Sequence, residues 1–206
     1  VAASSMMNPQ IRFGDDIISR ISYVIRKGWE GLRELQRVVI SAINEMLSTA
    51  CDKAGVKSSE VYEITLAGNT AMELFLLGIW PKYVAYSPYQ PPRRGGVQLE
   101  ARKLGFNVNK NGMAYVFPVI GGFVGGDQVA VLLAVGLLER DELNLELDIG
   151  TNTEISLGNR KGVASVSTPS GPAFEGMEIK FGMRAARGAI ERIYIDPSTL
   201  EPEYTV

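Results

Sequence analysis

Apolar residues recur every three or four positions in two stretches near the start of the chain. Ile17, Ile18, Ile21, Val24 and Ile25 follow Gly14-Asp15-Asp16 and stop at Gly28, which predicts an amphipathic helix with an aspartate cap. Leu32, Leu35, Val38, Val39, Ile43, Met46, Leu47 and Ala50 predict a longer helix over residues 32–54, ended by Gly55. The period then changes. Residues 61–67 (VYEITLA) read as a strand, and Gly68-Asn69-Thr70 turns it into a short apolar helix, 71–77, closed by Gly78. Pro81, Pro88, Pro91, Pro92, Arg93, Arg94, Gly95 and Gly96 propagate neither helix nor sheet, so residues 80–96 are expected to form a long exposed loop. Its arginines read as solvated charge, with an anion contact as the alternative. A short helix (97–104), a strand (114–120) and a glycine-rich loop (121–127) follow. The apolar run DQVAVLLAVGLLER then predicts a buried helix capped by Asp127 and reaching Glu139.

The second half of the chain is richer in strands. Residues 143–148 and 153–157 read as a hairpin joined by Gly150-Thr151-Asn152, 164–168 as a third antiparallel strand, and Ser167-Thr168-Pro169-Ser170-Gly171-Pro172 as a turn into a helical segment near 174–179. With no tandem repeat, the whole is α/β, mixed and not doubly wound.

Composition narrows the chemistry. At 46% hydrophobic and 21% charged residues the chain is of ordinary soluble globular type, and no apolar run approaches the roughly 18 to 20 residues of a membrane span. A net charge of -2 supplies no global field for nucleic acid or an anionic bilayer, so neither is expected as a partner. The opening Val1-Ala2-Ala3-Ser4-Ser5 has no signal-peptide pattern and no initiator Met, which suggests a cytoplasmic protein and a piece of a longer chain. There is no histidine, which removes Ser-His-Asp and Cys-His triads and leaves acid-base work to carboxylates. The single cysteine, Cys51, makes no internal disulfide and cannot alone ligate zinc or an iron-sulfur cluster; it reads as a small core residue.

Three segments could carry chemistry. In residues 145–157 an apolar strand delivers Asp148 to its end, and Gly150, Thr151, Asn152 and Thr153 follow in a turn where N–H groups and small hydroxyls could surround a phosphate, with Asp148 holding Mg2+. A ligand-free hairpin fits the same letters. Gly125-Gly126-Asp127 opens a helix, and by itself reads as a cap. Ser170-Gly171-Pro172 could offer backbone donors.

Their order resembles the nucleotide-binding core shared by actin, sugar kinases and heat-shock chaperone ATPases, in which an acidic residue opens a helix connecting two ribonuclease H-like lobes and an Asp-x-Gly hairpin forms the second phosphate loop. A closer resemblance covers nearly the whole chain. Asn8-Pro9-Gln10 through Gly14-Asp15-Asp16, Leu66-Ala67-Gly68-Asn69-Thr70-Ala71-Met72, Gly122-Phe123-Val124-Gly125-Gly126-Asp127, Asp148 through Ile155, and Gly171-Pro172-Ala173-Phe174-Glu175-Gly176 through Gly182-Met183-Arg184-Ala185 look like the ATPase domain of the reductive activators of corrinoid proteins. That family restores cobalt to Co(I) after accidental oxidation.

The resemblance implies ATP and Mg2+ as cofactors and a corrinoid protein as partner. It implies that Asp148, Gly150, Thr151, Asn152 and Thr153 hold terminal phosphates and metal, with Ser170 and Gly171 beside them. Asp127 would position water or Mg2+ next to Gly126, and Gly68-Asn69-Thr70 would line the cleft from the first lobe. Members of the family begin this domain with an Asp-x-Gly-Thr-Thr first phosphate loop and carry a later glycine motif against adenosine. Their iron-sulfur clusters sit in a separate domain. Neither motif occurs in these residues, so the expectation is an incomplete pair of lobes, 1–140 belonging to the first and 141–206 starting the second, inactive in isolation. The rival readings are a small-molecule kinase of the same fold and a non-catalytic docking module for a corrinoid protein. The apolar stripes of the two long helices need a cover, so a homodimer is expected unless both helices fold back on the strand at 61–67.

Overall fold

Asp16 accepts a hydrogen bond from the Ser19 N–H at 2.6 Å and starts α1 (Ile17–Lys27), in keeping with the cap read from the sequence. The structure, a computed structural model, describes residues 1–171, 183, 188–190 and 192–206. One residue, Gly28 at φ 71°, separates α1 from α2 (Trp29–Ala54). α2 begins earlier than the apolar stripe predicts, because exposed Trp29 stacks at 5.0 Å on Trp80 and carries no core contact of the stripe.

Ile21, Val24, Leu32 and Leu35 pack with Ala71, Leu74 and Phe75 of α3 (Thr70–Leu77) in one core. Farther along α2, Val39, Ile40 and Ile43 cover a second core built from Leu76, Ala101, Leu104, Phe106, Ala114 and Val116. Both long helices therefore pack most of their stripes within the chain, against α3 and the strand at 61–67, while Ile18 stays 50% exposed. Cys51 is buried near the end of α2, as expected.

The first sheet has the order β1-β3-β2, with β1 (Glu63–Leu66) parallel to β3 (Met113–Val116) and β2 (Val97–Glu100) antiparallel to it. Here the sequence reading of a helix over 97–104 is corrected. Val97 and Leu99 alternate with Gln98 and Glu100 and pair with Val116 and Ala114, and only α4 (Ala101–Leu104) is helical. The strand expected over 114–120 is confined to Met113–Val116, with Pro118, which has no N–H to donate, just beyond it.

α5 (Gly126–Ala134) is shorter than expected, because Gly136 at φ 62° turns the chain before a 3-10 turn at Leu137–Glu139. Its cap is Gly125. Asp127 lies inside the first turn and its Oδ1 accepts from the Gln128 N–H at 2.9 Å, so the aspartate cap read from the sequence is also corrected.

The second sheet is an antiparallel meander of β4 (Asn144–Ile149), β5 (Asn152–Asn159) and β6 (Gly162–Pro169), with Asp148 opposite Glu154 and Ile149 opposite Thr153. One face carries Leu145, Leu147, Ile149, Leu157 and Val166, all exposed. The other carries Glu146, Asp148, Glu154, Ser156, Ser165 and Ser167. From α5 the buried Gln128 reaches this polar face, its Nε2 donating to Ser156 Oγ at 2.8 Å and to Glu146. A separate hairpin, β7 (Arg192–Ile195) with β8 (Pro202–Thr205), was not anticipated from the sequence. The helix expected near 174–179 lies outside the described residues. Among the described residues no helix is long and apolar enough to cross a membrane.

Candidate functional site

Gly68 follows β1, and its carbonyl accepts two hydrogen bonds, from the N–H groups of Gly126 at 2.9 Å and Asp127 at 3.2 Å. These are two of the donors that the first turn of any helix leaves without an intrahelical partner. The start of α5 is thus tied directly to the Gly68-Asn69-Thr70 turn. The approach is close enough to require glycine, since a Cβ on Gly125 would lie 2.5 Å from Asn69 Cα. Asn69 caps α3, accepting from the Met72 N–H at 3.0 Å, and the buried Thr70 donates to the Gly121 carbonyl at 2.7 Å. Gly68, Asn69, Thr70, Gly126 and Asp127 are therefore tied into one cluster, in which Thr70 and Gly126 are buried and Gly68, Asn69 and Asp127 are half-buried.

On the second lobe, exposed Asp148 stands near the end of β4. Gly150 donates to the Asn152 carbonyl at 3.0 Å, and Ser170 and Gly171 donate to the Thr151 carbonyl at 3.1 and 3.0 Å. Thr153 Oγ1 and Ser170 Oγ share a hydrogen bond of 2.5 Å. The structure thus joins residues 148–153 to Ser170 and Gly171, and it engages the N–H groups of Gly150, Ser170 and Gly171 inside the turn. Asn152 and Thr151 remain exposed at its tip.

Asp127, Asp148 and Glu154 interact electrostatically. Burial raises the Asp127 pKa, and the charge of Asp148 adds to the effect. Glu154 is raised by burial too, with Asp127 and Asp148 adding and a hydrogen bond from Ser167 at 2.8 Å opposing. Among the described residues no group of three or more carboxylates or thiols is close enough to hold a metal as a cage. The donor set of one or two carboxylates is nonetheless the kind that suits magnesium, because Mg2+ commonly takes one or two carboxylates and fills its remaining positions with water and phosphate oxygens.

Four residues of this region escaped the sequence reading. Glu73 of α3 is buried and ion-paired with Arg93; the sequence reading preferred solvated charge for Arg93 over an anion contact, and the structure shows the anion contact, with the Arg93 side chain only 13% exposed. Arg94 does remain exposed, donating to Gln90 at 3.1 Å. Burial pushes Glu73 up to about 7 against the pull of Arg93. A signal for Glu73 was present, a lone charge in the apolar helix TAMELFLL, whereas nothing near Arg93 in sequence pointed to it. Gln128 and Glu154 sit within one or two residues of assigned positions, and their importance comes from which face they share.

With the geometry in hand, the sequence matches the RACo middle region over residues 1–140 and the C-terminal domain of RACo, the ASKHA domain, over residues 142–206. The chain belongs to the family of corrinoid reductive activators called RACo. Its fold is mixed α/β, with an actin-like ATPase domain at its C-terminal end. The corrinoid activation enzyme RamQ of Eubacterium limosum is 35% identical over 92% of this chain and 31% of its own length. The [Co(II) methylated amine-specific corrinoid protein] reductase of Methanosarcina barkeri is 26% identical over 86% of this chain and 33% of its own. A solved reductive activator for corrinoid, iron-sulfur protein superimposes with a TM-score of 0.81 at 40% identity, covering 96% of this chain and 31% of the solved one. This RACo chain thus spans about a third of the length of its relatives.

Proposed function

We propose that the two lobes of this RACo chain border one ATP cleft, and that the protein to which they belong couples ATP hydrolysis to reduction of a corrinoid protein's cobalt from Co(II) to Co(I). The observation that supports this reading is the Asp127 carboxyl, raised by burial and further by the charge of Asp148, at the start of a helix tied to the Gly68-Asn69-Thr70 turn. Bound Mg2+ would supply the positive charge that neutralises phosphate oxygens there.

In this reading Asp148 holds the metal through water, while Gly150, Thr151 and Asn152 border the terminal phosphates and Thr153, Ser170 and Gly171 brace the turn. Asp127 orients the attacking water and shares the metal. Gly68, Asn69, Thr70 and Gly126 wall the cleft on the opposite side. Water adds to the γ-phosphorus as the bond to the ADP oxygen breaks. An iron-sulfur cluster held in another domain would supply the one electron that converts Co(II) to Co(I). Hydrolysis supplies the conformational work for that uphill transfer. The relatives named as corrinoid activators and a corrinoid-protein reductase support the choice of partner. The cytoplasm is the expected setting.

The test is Asp148→Asn in the full-length protein. Mg-dependent ATP hydrolysis is expected to vanish while the melting temperature moves little, because the side chain is exposed and supports no core. Retained hydrolysis overturns the assignment.

A further inference from the structure

Beneath the cleft wall a charged pair sits in the first-lobe interior with no role in the reading above. The Glu73 side chain is 3% exposed and ion-paired with Arg93. Arg93 also donates to the Phe117 carbonyl through Nη1 at 3.1 Å and Nη2 at 3.0 Å, and to the Gly95 carbonyl. One guanidinium therefore clamps α3, the loop ahead of β2, and the chain leaving β3. A planar fork can make these contacts together, whereas the point charge of a lysine cannot.

The second Glu73 oxygen, Oε1, is buried and has no hydrogen-bond partner. It lies against Gly126, where an added Cβ would come within 2.1 Å of it and within 2.7 Å of Phe117 Cβ. A buried carboxylate oxygen without a donor is costly, and a hydrophobic pair would fill the same space at less cost. Its place is nonetheless specific. It underlies the turn whose next residue is Asp127, and the N–H groups of Gly126 and Asp127 are bonded on their other side to Gly68, one turn before Glu73 on the same segment. Residues 68–73 thus grip the start of α5 by the Gly68 carbonyl at one end and pack the Glu73 carboxylate against Gly126 at the other.

We infer that Glu73, fixed by Arg93, is a positioning residue that sets the placement of Asp127 in the cleft. The role assigned to Asp127 rests on the ATPase reading; the grip itself does not. Glu73 acts from the interior, its side chain 3% exposed and held on Arg93. Its removal should loosen one turn and slow the chemical step without dismantling the lobe.

The experiment uses the full-length protein with Glu73→Gln and Arg93→Met, read by amide hydrogen exchange and by ATP hydrolysis. Glu73→Gln keeps the shape of the side chain and removes the charge that holds Arg93. The expected result is exchange at Gly126 and Asp127 at least tenfold faster, with the amides of β3 and α2 within twofold of wild type. In the hydrolysis assay kcat should fall at least tenfold while KM for ATP moves less than threefold. Arg93→Met should give the same local pattern. If exchange at 126 and 127 is unchanged in Glu73→Gln, the proposal is overturned whatever the activity. Faster exchange spread over the whole first lobe also overturns it, since that is the mark of a merely structural pair. Local loosening in a protein whose wild type hydrolyses no ATP would uphold the grip and overturn the ATPase reading instead.

Discussion

In the sheet β1-β3-β2, Ala114 and Val116 are fully buried beneath residues of α2, α3 and α4, whereas in the sheet β4-β5-β6 Leu145, Leu147 and Ile149 stand 50 to 62% exposed. The side of the second sheet that faces α5 carries carboxylates and hydroxyls. One sheet is held by apolar burial and the other by its ladder and a polar network. That difference explains why the candidate site lies where the two regions meet. The polar face brings Asp148 and Glu154 toward Asp127, and the rigid first lobe supplies the carbonyl of Gly68 against which Asp127 is set. The apolar face of the second sheet, in turn, is the surface available for further packing.

The largest expected effect is in the first lobe. Phe75, 0% exposed, sits in the core shared by α1, α2 and α3, and Phe75→Ala should cost about 3 to 5 kcal/mol in urea unfolding. A loss below about 1 kcal/mol would break the contrast between the two regions.

A pH series sharpens it. Because burial raises Glu73 from 4.5 to about 7, the folded state holds a proton between those values that the unfolded chain has released. The stability this contributes is complete below about pH 4.5 and is lost as the pH rises through 7, by about 3 kcal/mol at most. Glu73→Gln should lack that decline, so its stability relative to wild type should rise between about pH 5 and pH 8 whatever the fixed cost of loosening the turn. A pH slope common to both proteins would count against Glu73 as its source.

Gly126→Ala probes the junction itself. The added Cβ meets the Glu73 carboxylate, and about 1 to 3 kcal/mol of destabilisation is expected, partly relieved in Gly126→Ala with Glu73→Ala. Additive effects in the double variant would show that the two positions do not press on one another.

The smallest effect is on the outer sheet face. Leu147→Thr should change stability by no more than about 0.5 kcal/mol, since that side chain is already half in solvent. A cost of several kcal/mol would mean that this face is covered in solution, and sedimentation equilibrium over a tenfold concentration range would show whether a second copy covers it.

Much of this was legible in the pattern of residues. The stripes of α1 and α2 depend on local period, and the hairpin at Gly150-Thr151 depends on turn chemistry, so both could be read without a partner in view. Residues 97–100 were misread because Val97, Leu99, Ala101 and Leu104 suit a helix almost as well as a strand, and pairing with β3 decides between them. The cap at α5 was misread for a related reason. Asp127 has the chemistry of a cap, but the carbonyl that satisfies the helix start comes from Gly68, a long-range contact.

The sequence by itself determined the elements whose signal is local: the periodic helices, the strand-turn-strand units, the glycines that end helices, and the motif order characteristic of RACo. Only the tertiary structure decided that Arg93 is buried on Glu73, that Gly126 rests on that carboxylate, and that Asp127 and Glu154 feel one another's charge and that of Asp148. The physical reason is that burial and electrostatic coupling depend on distance in space. The 20 positions that separate Glu73 from Arg93 give no hint of their ion pair until the loop closes and excludes the water that would otherwise lie between them.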